Sequence, residues 1–563
     1  MEKSFNPEEV KKLRGGYYTP SSICEYLSRW AIRSERDSVL EPSCGDGEFV
    51  YSAVQQLSNL GTSSKEVNKN VVGVEFNTME ASKAQSRVRQ EYSSKFEILN
   101  EDFFSVADDF ISEGKKFDVV LGNPPFIRYQ NFKEEHREIA FRLMRNLGLN
   151  PNRLTNSWAP FVAVAASLLK DDGRMAMVIP SELYQVSYAG ETRKFLLEHF
   201  QKVTLINFRG LLFEGAQQEV ILFLGERSST KQEGLEFLEF DDAEDFINSG
   251  FVEGKIKQKL RRALKTSEKW TKYYLEPSEI DIMRDLFEHE NVTKSSDFFD
   301  VDVGVVTGQN KFFVVDKETT EKYGLENSII PCITRTNLLQ GLNYSKTDWK
   351  KSFKDNKFSS LFFKTNDDVE SLSSNEKKYI KFGESENFHS GYKCRIRKNW
   401  YCVPSVWVPD GFFLRQIHKY PKVVLNTAGA CPTDTIHRVK FLSKVPKKLL
   451  TLCFLNSMTF AHSEVMGRSY GGGVLTFEPS EAEKLLFPKL PEDFNCELPF
   501  KKIDKLLREN RIEEVLDITD KVFLIDFVGL TQVEVDRLRS MWKKLRDRRL
   551  NRKLSAKRKK TLH

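Results

Sequence analysis

The loop Asn123-Pro124-Pro125-Phe126 carries the residue types in this sequence that are best suited to chemistry, and it directly follows the apolar segment 118–122. Two prolines restrict the backbone, so the carbonyl groups of the loop point in set directions. The Asn123 side chain supplies one carbonyl acceptor and the backbone of Pro124 supplies a second. Two acceptors aimed at one NH₂ group would hold a planar conjugated amine and stabilise positive charge as its nitrogen attacks a sulfonium methyl group. Phe126 would stack on the ring that bears the amine.

Three acidic residues, Glu41, Glu75 and Asp102, each follow an apolar segment upstream of this loop. In an open parallel sheet the carboxyl ends of the strands border the ligand-binding crevice, so we expect the three carboxylates to share a pocket. Glu75 suits the two hydroxyls of a ribose, whereas Asp102, beside the aromatic Phe103, suits the amino group of an adenine. The three acids together favour a nucleoside site over three solvated strand ends.

The turn after Glu41 contains Gly45 and Gly47, which allow the backbone to approach a ligand closely. A dinucleotide fingerprint would require a third glycine at position 50, where this chain has Val50. The turn therefore disfavours NAD or FAD and leaves a nucleoside without a pyrophosphate.

Alternating strands and helices over the first 225 residues must position these groups. Apolar runs predict strands at 38–41, 71–75, 96–99, 118–121, 174–179, 203–207 and 219–224, and helices intervene at 79–91, 156–169 and 190–200. Such alternation predicts an α/β fold with a mostly parallel sheet covered on both faces.

The segments EPSCGDGEF, GVEFN, NEDFF and LGNPPF, in this order and spacing, resemble the motifs of the gamma-class adenine-N6 DNA methyltransferases. GYYTP at 16–20 resembles the leading motif of that family. The resemblance implies a Rossmann-like, class I S-adenosylmethionine-dependent domain with a seven-stranded sheet. It assigns cofactor binding to Thr19, Glu41, Cys44, Gly45, Gly47, Glu75, Asp102 and Phe103. It assigns catalysis to Asn123, Pro124, Phe126 and, through a later motif at 212–215, Phe213.

The implied function is methylation of N6 on an adenine flipped out of duplex DNA, as the modification enzyme of a type II restriction–modification system. The expected domains are a catalytic domain at 1–235, a linker at 236–277, an α+β target-recognition domain with C-terminal helices at 278–542, and a basic tail at 543–563. In the recognition domain, segments 304–310, 395–404 and 468–473 resemble recurrent elements of such domains. The DNA-contact candidates are Gln309, Asn310, Arg395, Arg468 and Tyr470.

Charge and cysteine content bound the remaining possibilities. The tail holds eleven Lys and Arg against one Asp although the whole chain is only +6, and such a run suits a polyanion or merely aids solubility. The eight cysteines contain no CxxC pair, so we expect neither a disulfide framework nor a metal site. No secretory or membrane-spanning segment is apparent, which predicts a cytoplasmic monomer that acts on double-stranded DNA. A restriction endonuclease is expected as a separate protein.

Several alternatives remain open at this point. Protein-glutamine and RNA-guanine N-methyltransferases also use an Asn-Pro-Pro-aromatic loop, although they seldom carry so long a downstream region. Methylation of cytosine N4 usually involves serine in place of Asn123. A DNA-binding module with an inactive cofactor fold is disfavoured by the intact Gly45, Asp102 and Asn123.

Overall fold

The structure, a computed structural model, describes residues 18–92, 95–212, 219–228, 235–252, 260–261, 268–363, 371–470, 472–496 and 498–560, without the side chains of 260–261 and 552–560. Contacts divide the chain into two compact units. The first is formed mainly by residues up to Tyr274, and the second by Leu275–Ser469 and Val474–Arg549. Among the described residues, no helix has the length and apolar character needed to cross a membrane.

A nine-stranded sheet forms the centre of the first unit, in the order β3-β2-β1-β4-β5-β7-β6-β8-β9. Strands β1 to β5 are mutually parallel, β7 runs antiparallel between β5 and β6, and β8 extends the sheet parallel to β6. The strands are β1 Val39–Glu41, β2 Val71–Val74, β3 Ile98–Leu99, β4 Phe117–Gly122, β5 Leu169–Pro180, β6 Lys202–Phe208, β7 Val220–Glu226, β8 Leu235–Phe240 and β9 Leu260–Arg261.

Helices connect these strands. They are α1 Ser21–Ala31, α2 Glu48–Leu60, α3 Ser64–Asn70, α4 Thr78–Glu91, α5 Phe103–Ser112, α6 Glu134–Asn146, α7 Trp158–Ser167, α8 Glu182–Gln185, α9 Ala189–His199 and α10 Ala243–Asn248. The central strands are almost entirely buried, as the continuous apolar runs require when helices cover both faces of a parallel sheet. The strand order reverses between β1 and β4, which places the crevice expected for a ligand at the carboxyl ends of these two strands.

All seven predicted strands and the three predicted helices are present, so the predicted α/β fold is confirmed. The largest boundary difference is in β5, which begins at Leu169, five residues before the predicted start. The polar run Lys170–Gly173 concealed this extension, because it lies at an irregularity where the β4–β5 register jumps from Leu169 to Arg174 and its first three residues are exposed.

The range 236–277 differs from the linker that the sequence predicts. Its described part contains most of β8, which pairs with β6, and α10, whose Phe246 is fully buried against Tyr26 with ring centroids 4.8 Å apart. The polar stretches that suggested a linker lie mostly at 229–234, 253–259 and 262–267, outside the described residues. Between them, the apolar side chains of Leu235, Phe237 and Phe246 attach the segment to the core.

The second unit is an α+β fold with several small sheets. The larger sheets have the orders β11-β20-β16-β18-β14 and β12-β15-β13-β19. Its strands are β10 Val292–Lys294, β11 Phe299–Asp302, β12 Val314–Val315, β13 Ile329–Ile333, β14 Asn343–Tyr344, β15 Ser360–Phe362, β16 Gly411–Phe413, β17 Gln416–Ile417, β18 Val423–Asn426, β19 Cys431–Pro432, β20 His437–Phe441, β21 Arg468–Ser469, β22 Leu475–Thr476 and β23 Leu486–Pro488.

The helices after Tyr274 are α11 Pro277–Glu288, α12 Asn310–Phe313, α13 Lys317–Tyr323, α14 Lys346–Lys354, α15 Ser374–Ser385, α16 Tyr392–Arg395, α17 Lys447–Cys453, α18 Ser457–Met466, α19 Pro479–Ala482, α20 Phe500–Arg508, α21 Ile512–Asp520 and α22 Gln532–Lys560. A π-helix at Lys521–Val528 continues α21. The predicted helical finish is therefore present.

Part of the predicted basic tail belongs to the core of the second unit. The Arg549 guanidinium, 2% exposed, donates to both carboxylate oxygens of Glu464 at 2.9 and 2.6 Å and to the carbonyl oxygen of His418 at 3.0 Å. The Arg546 guanidinium lies 4.4 Å from the ring centre of the buried Trp542. These two arginines of the tail are thus structural, because the part of α22 up to Arg549 belongs to the second unit and buries Leu538, Met541 and Trp542.

Candidate active site

One cavity of about 500 Å³ lies at the carboxyl ends of β1, β2, β3 and β4 in the first unit. Its volume falls in the range typical of small-molecule sites. Eight of the residues proposed from the sequence line it: Thr19, Glu41, Cys44, Gly45, Glu75, Asp102, Phe103 and Asn123. Within the part of the chain that the structure describes, no group of three or more His, Cys, Asp or Glu side chains is arranged to hold a metal ion.

The glycine turn between β1 and α2 is shaped by its neighbours. The Gly45 N–H donates to Oε2 of Glu75 at 2.9 Å, and the Asn77 N–H donates to Oε1 of the same carboxylate at 2.7 Å. Gly47 has φ +90°, and a Cβ atom there would come within 2.6 Å of the Ala84 Cα atom of α4. Gly45 therefore faces the cavity, whereas Gly47 serves the close packing of the turn on α4.

Glu41 is the most deeply buried acid of the cavity. Its side chain is 2% exposed, and burial raises the pKa of its carboxyl well above the ordinary value. Oε2 has no hydrogen-bond partner among the described residues, and Oε1 accepts only a long 3.4 Å contact from the Ser43 N–H within them. A Cβ on Gly122 would lie 2.5 Å from Oε1, so a glycine at this position leaves room for the carboxylate. A buried polar atom of this kind, lining a cavity, is suited to a cationic ligand group.

Asp102 ends the segment after β3 and begins α5. Its Oδ1 accepts the backbone N–H groups of Phe104 at 3.0 Å and Ser105 at 3.3 Å, which is an N-cap interaction. The adjacent Phe103 is buried and stacks on Phe161 with ring centroids 5.2 Å apart. The helix cap therefore holds the carboxylate at the edge of the cavity, next to an aromatic wall.

The loop after β4 is held from two sides. The Asn123 side-chain nitrogen donates to Oγ1 of Thr19 at 3.2 Å, and the Ser43 hydroxyl lies 3.4 Å from the Asn123 backbone carbonyl oxygen. On the other side, the Ser157 hydroxyl donates to the carbonyl oxygen of Pro125 and accepts the Ile127 N–H at 2.9 Å. These bonds fix the direction of the acceptors in the loop before any ligand binds.

Three residues assigned to catalysis are placed differently from Asn123. The Pro124 side chain is buried, and the Phe126 side chain is half-buried against the core of the unit. Neither side chain belongs to the cavity lining. Phe213 lies outside the described residues. The stacking role predicted for Phe126 therefore stays a prediction.

Residues that the sequence did not single out also line the cavity, among them Phe76, His136 and Ser157. Ser157 stands at the start of α7, where a serine is ordinarily interpreted as a helix cap. Within the described residues it caps no helix N–H, and its hydroxyl contacts the backbone of the loop after β4 instead. Phe76 directly follows Glu75 at the end of a strand, and this position could have predicted that Phe76 lines the cavity. His136 lies in the charged run Lys133–Glu138, which carries no pattern that would distinguish it.

Three of the five DNA-contact candidates lie on two neighbouring segments of the second unit. Arg397 donates to the carbonyl oxygens of Val306 at 3.1 Å and Thr307 at 2.7 Å, and a Cβ on Gly308 would lie 2.5 Å from the Lys393 Cβ atom. This contact brings together the segments that carry Gln309, Asn310 and Arg395. Exposed apolar side chains on the same segments are Val306, Tyr392 and Ile396.

Arg468 and Tyr470 are placed differently from these three. Arg468 donates to Oε1 of the buried Glu481 at 3.0 Å, so its guanidinium is engaged inside the second unit. Tyr470 is 45% exposed and is grouped with the first unit.

Comparison with known proteins matches two family models to the chain. The N-6 DNA Methylase model covers residues 3–310, which is more than half of the chain and includes the whole cavity. The model "Type II methyltransferase M.Eco57I, C-terminal domain" covers residues 267–524, most of which belong to the second unit.

Individual relatives give the same result. The chain is 24% identical over 548 residues to the Type II methyltransferase M.AccI of Acinetobacter calcoaceticus. The aligned residues cover 92% of this chain and 94% of the relative. It is 22% identical to the Type II methyltransferase M.HindII of Haemophilus influenzae, over 60% of this chain and 62% of the relative.

Two solved structures share the fold at low identity. The Type IIL restriction–modification enzyme MmeI, in complex with DNA, aligns with a TM-score of 0.57 and 11% identity over 96% of this chain and 77% of that one. The DrdV–DNA complex aligns with a TM-score of 0.53 and 12% identity over 90% of this chain and 58% of that one. With the strand order and the loop of Asn123, the family match leads to one conclusion: the chain belongs to the N-6 DNA methylase family and is a DNA methyltransferase of the adenine-N6 type.

Proposed function

We propose that this methyltransferase takes its methyl group from S-adenosylmethionine and transfers it to N6 of an adenine flipped out of duplex DNA. The observation that carries the proposal is the shared cavity, in which Asn123 meets the carboxylates of Glu41, Glu75 and Asp102. A site for methyl transfer must hold donor and acceptor side by side, because proximity and orientation supply much of the rate enhancement.

The chemistry of the lining residues fits each part of this cofactor. Glu41, buried and with Oε2 unpartnered among the described residues, suits the ammonium group of the methionine part. The Glu75 carboxylate, held by the N–H groups of Gly45 and Asn77, suits the ribose hydroxyls. Asp102 suits the amino group of the adenine, with Phe103 beside it. When bound, S-adenosylmethionine supplies a methyl group on a positively charged sulfur.

The loop that contains Asn123 binds the methyl acceptor, which is the target amine. The side-chain carbonyl of Asn123 and the backbone carbonyl of Pro124 accept the two N–H bonds of the target amine, which orients the nitrogen lone pair towards the donor. The same two oxygens stabilise the positive charge that develops on nitrogen during attack. Thr19 and Ser157 hold the loop, so the acceptors need no rearrangement. Phe126 and Phe213 are the proposed aromatic contacts of the flipped base.

Base flipping follows from the same geometry. An amino group inside the duplex cannot reach an acceptor loop at the edge of a cavity, so the adenine must leave the stack. We assign DNA contacts to Gln309, Asn310 and Arg395, which suit base edges and phosphates. The pairing of their two segments through Arg397 supports a single recognition surface. We give Arg468 less weight because Glu481 engages it.

The cellular role that we propose is modification in a type II restriction–modification system. The Type II methyltransferase names of the relatives support it, and we propose a restriction endonuclease as a separate partner. We further propose that the enzyme is cytoplasmic and acts on double-stranded DNA as a monomer. Assignment to the N-6 DNA methylase family argues against cytosine N4 and against RNA or protein substrates.

One experiment tests the proposal directly. The gene is expressed in cells that lack adenine methylation, and their DNA is sequenced by a method that reads modified bases. We expect N6-methyladenine at every copy of one short sequence, and unmodified DNA from cells that express the Asn123→Ala variant. Methylation of cytosine instead of adenine would contradict the proposal. So would a failure of the purified wild-type protein, supplied with S-adenosylmethionine, to methylate adenine in DNA.

A further inference from the structure

His136 on α6 reaches the cavity and contacts the carboxylate of Asp102. Its Nδ1 lies 3.0 Å from Asp102 Oδ2, and the two side chains are 15% and 14% exposed. With Asp102 ionised, this contact favours the tautomer that carries the proton on Nδ1, because a carboxylate oxygen accepts hydrogen bonds and donates none. The other oxygen of Asp102 is held by the N–H groups of Phe104 and Ser105. Both oxygens of the carboxylate are therefore oriented, one by the start of α5 and the other by His136.

The imidazole ring of His136 is itself fixed by its neighbours. The Phe76 ring packs edge-on against it with centroids 5.0 Å apart, and Lys133 Nζ lies 4.7 Å from the centre of the Phe76 ring. Nε2 of His136 is buried and has no hydrogen-bond partner among the described residues, although the exposed Glu135 carboxylate lies 3.4 Å away. His136, Phe76 and Lys133 all line the cavity, so this cluster forms a wall of the ligand site and not part of the hydrophobic core.

We propose that His136 is a positioning residue, which orients the Asp102 carboxylate towards the amino group of the cofactor's purine and thereby selects a 6-amino over a 6-oxo purine. The inference rests on the proposed function, since it takes the nucleoside of S-adenosylmethionine as the ligand. A 6-amino group donates to a fixed carboxylate, whereas a 6-oxo group places a second acceptor against it. Discrimination of this kind depends on a carboxylate that cannot turn away, because a buried acceptor facing another acceptor is costly.

The competing interpretation is that the pair only attaches α6 to α5. A purely structural role would weaken every ligand of the cavity by a similar factor when His136 is replaced. A positioning role would weaken the amino-purine ligand selectively. Ligand selectivity, unlike activity or stability alone, separates the two interpretations.

The test measures binding of S-adenosylhomocysteine and S-inosylhomocysteine to the full-length protein by titration calorimetry. We expect the wild type to prefer the adenosyl ligand by at least tenfold. His136→Leu removes the donor and should reduce that preference about tenfold, mostly through weaker adenosyl binding. His136→Asn retains a donor near the position of Nδ1 and should restore most of the preference.

Asp102→Asn supplies the second variant. It should lose the preference by itself, and adding His136→Leu to it should change the preference no further, because residues that act through one contact are not additive. Equal weakening of both ligands in His136→Leu, or an unchanged preference, would overturn the assignment while leaving the proposed function intact. A wild type that binds neither ligand would instead refute the proposed function, and the role of His136 with it. Circular dichroism of each variant identifies any loss of folding, in which case His136→Asn alone decides between the two interpretations.

Discussion

The side-chain nitrogen of Asn123 donates to the hydroxyl oxygen of Thr19 at 3.2 Å, although 104 positions separate the two residues. This bond joins the loop that we propose to contact the target amine to the segment before α1, and it orients the side-chain amide of Asn123. The acceptor oxygen thus has a direction that depends on a residue outside the loop.

The first prediction concerns Asn123 itself. Asn123→Ala removes one of the two preorganised acceptors, so turnover should fall about 100-fold or more, while S-adenosylmethionine still binds with nearly unchanged affinity. Methyl transfer to duplex DNA and calorimetric titration of the cofactor measure the two quantities. Asn146→Ala, at the exposed end of α6, is the matched control and should retain full activity. Near-normal methylation by Asn123→Ala would remove the residue from catalysis.

Replacing Thr19 tests the orientation of the amide. Thr19→Val keeps the shape of the side chain and removes the hydroxyl, so kcat should fall about five- to tenfold, the effect expected for loss of one hydrogen bond. Thr19→Ser keeps the hydroxyl and should recover most of the rate. Equal rates in the valine and serine variants would indicate that the contact has no influence on catalysis.

The Ser157 hydroxyl bridges the Pro125 carbonyl and the Ile127 N–H, and its loss leaves both half-buried groups without that partner. Ser157→Ala should lower the free energy of unfolding by about 1–3 kcal/mol and kcat by about tenfold, with little change in cofactor affinity. Urea unfolding and steady-state kinetics measure these effects. Ser167→Ala is the control, because that hydroxyl donates to Val164 within the same helix, at 2.7 Å. A kcat loss no greater than that of the control would separate Ser157 from catalysis.

The buried Glu41 should make stability depend on pH. Burial raises its pKa in the folded state, so the folded protein binds more protons than the unfolded chain at any pH between the two values. Its contribution therefore favours folding at low pH and becomes unfavourable as pH rises above the unfolded value of about 4.3. Glu41→Gln removes this penalty and should raise the melting temperature of the ligand-free protein at pH 8 more than at pH 5.

The same variant should bind S-adenosylmethionine at least tenfold more weakly, because it removes the partner of a cationic group. Glu97→Gln, which alters an exposed carboxylate, is the control for both measurements. A melting temperature of Glu41→Gln that changes with pH in parallel with the wild type would show that Glu41 does not titrate in this range.

Arg549 and the end of the chain should have separable effects. Arg549→Met leaves Glu464 buried without its partner and should destabilise the second unit by about 3–5 kcal/mol in chemical unfolding. Truncation after Asn551 retains Arg549 and removes six of the eleven basic residues of the tail. The truncated protein should keep its stability, bind DNA more weakly, and show a shallower dependence of affinity on salt. An unchanged salt slope would assign these six residues to solubility.

Much of the first unit was predictable because its signals are local. Continuous apolar runs identify buried strands, and acids or glycines directly after them identify the edge where a ligand binds. Eight predicted residues therefore meet in one cavity. Ser157 and His136 were not predictable in the same way, because each acts through a side-chain contact with a residue about thirty positions away, and no periodicity encodes that contact.

In two other regions of the chain, the local composition led to a wrong prediction. Polar surroundings concealed β8 and α10, since a few buried apolar side chains suffice to extend an existing sheet. In the tail, the sequence could not distinguish Arg549 from its solvated neighbours, because only the fold brings Glu464 to it. The sequence shows that Arg549 is charged, but whether its guanidinium is buried depends on residues far away in the chain.

Gly122 stands between the end of β4 and Asn123, and its missing side chain leaves the space that Glu41 Oε1 occupies. Any larger residue would displace Glu41 and shift the backbone beside Asn123, the residues that we propose to hold the methyl donor and the methyl acceptor. Neither half of the reaction can thus be redesigned alone from this position. If the second unit recognises DNA as proposed, we expect substitutions that change the recognised sequence to be tolerated there more readily than at Gly122.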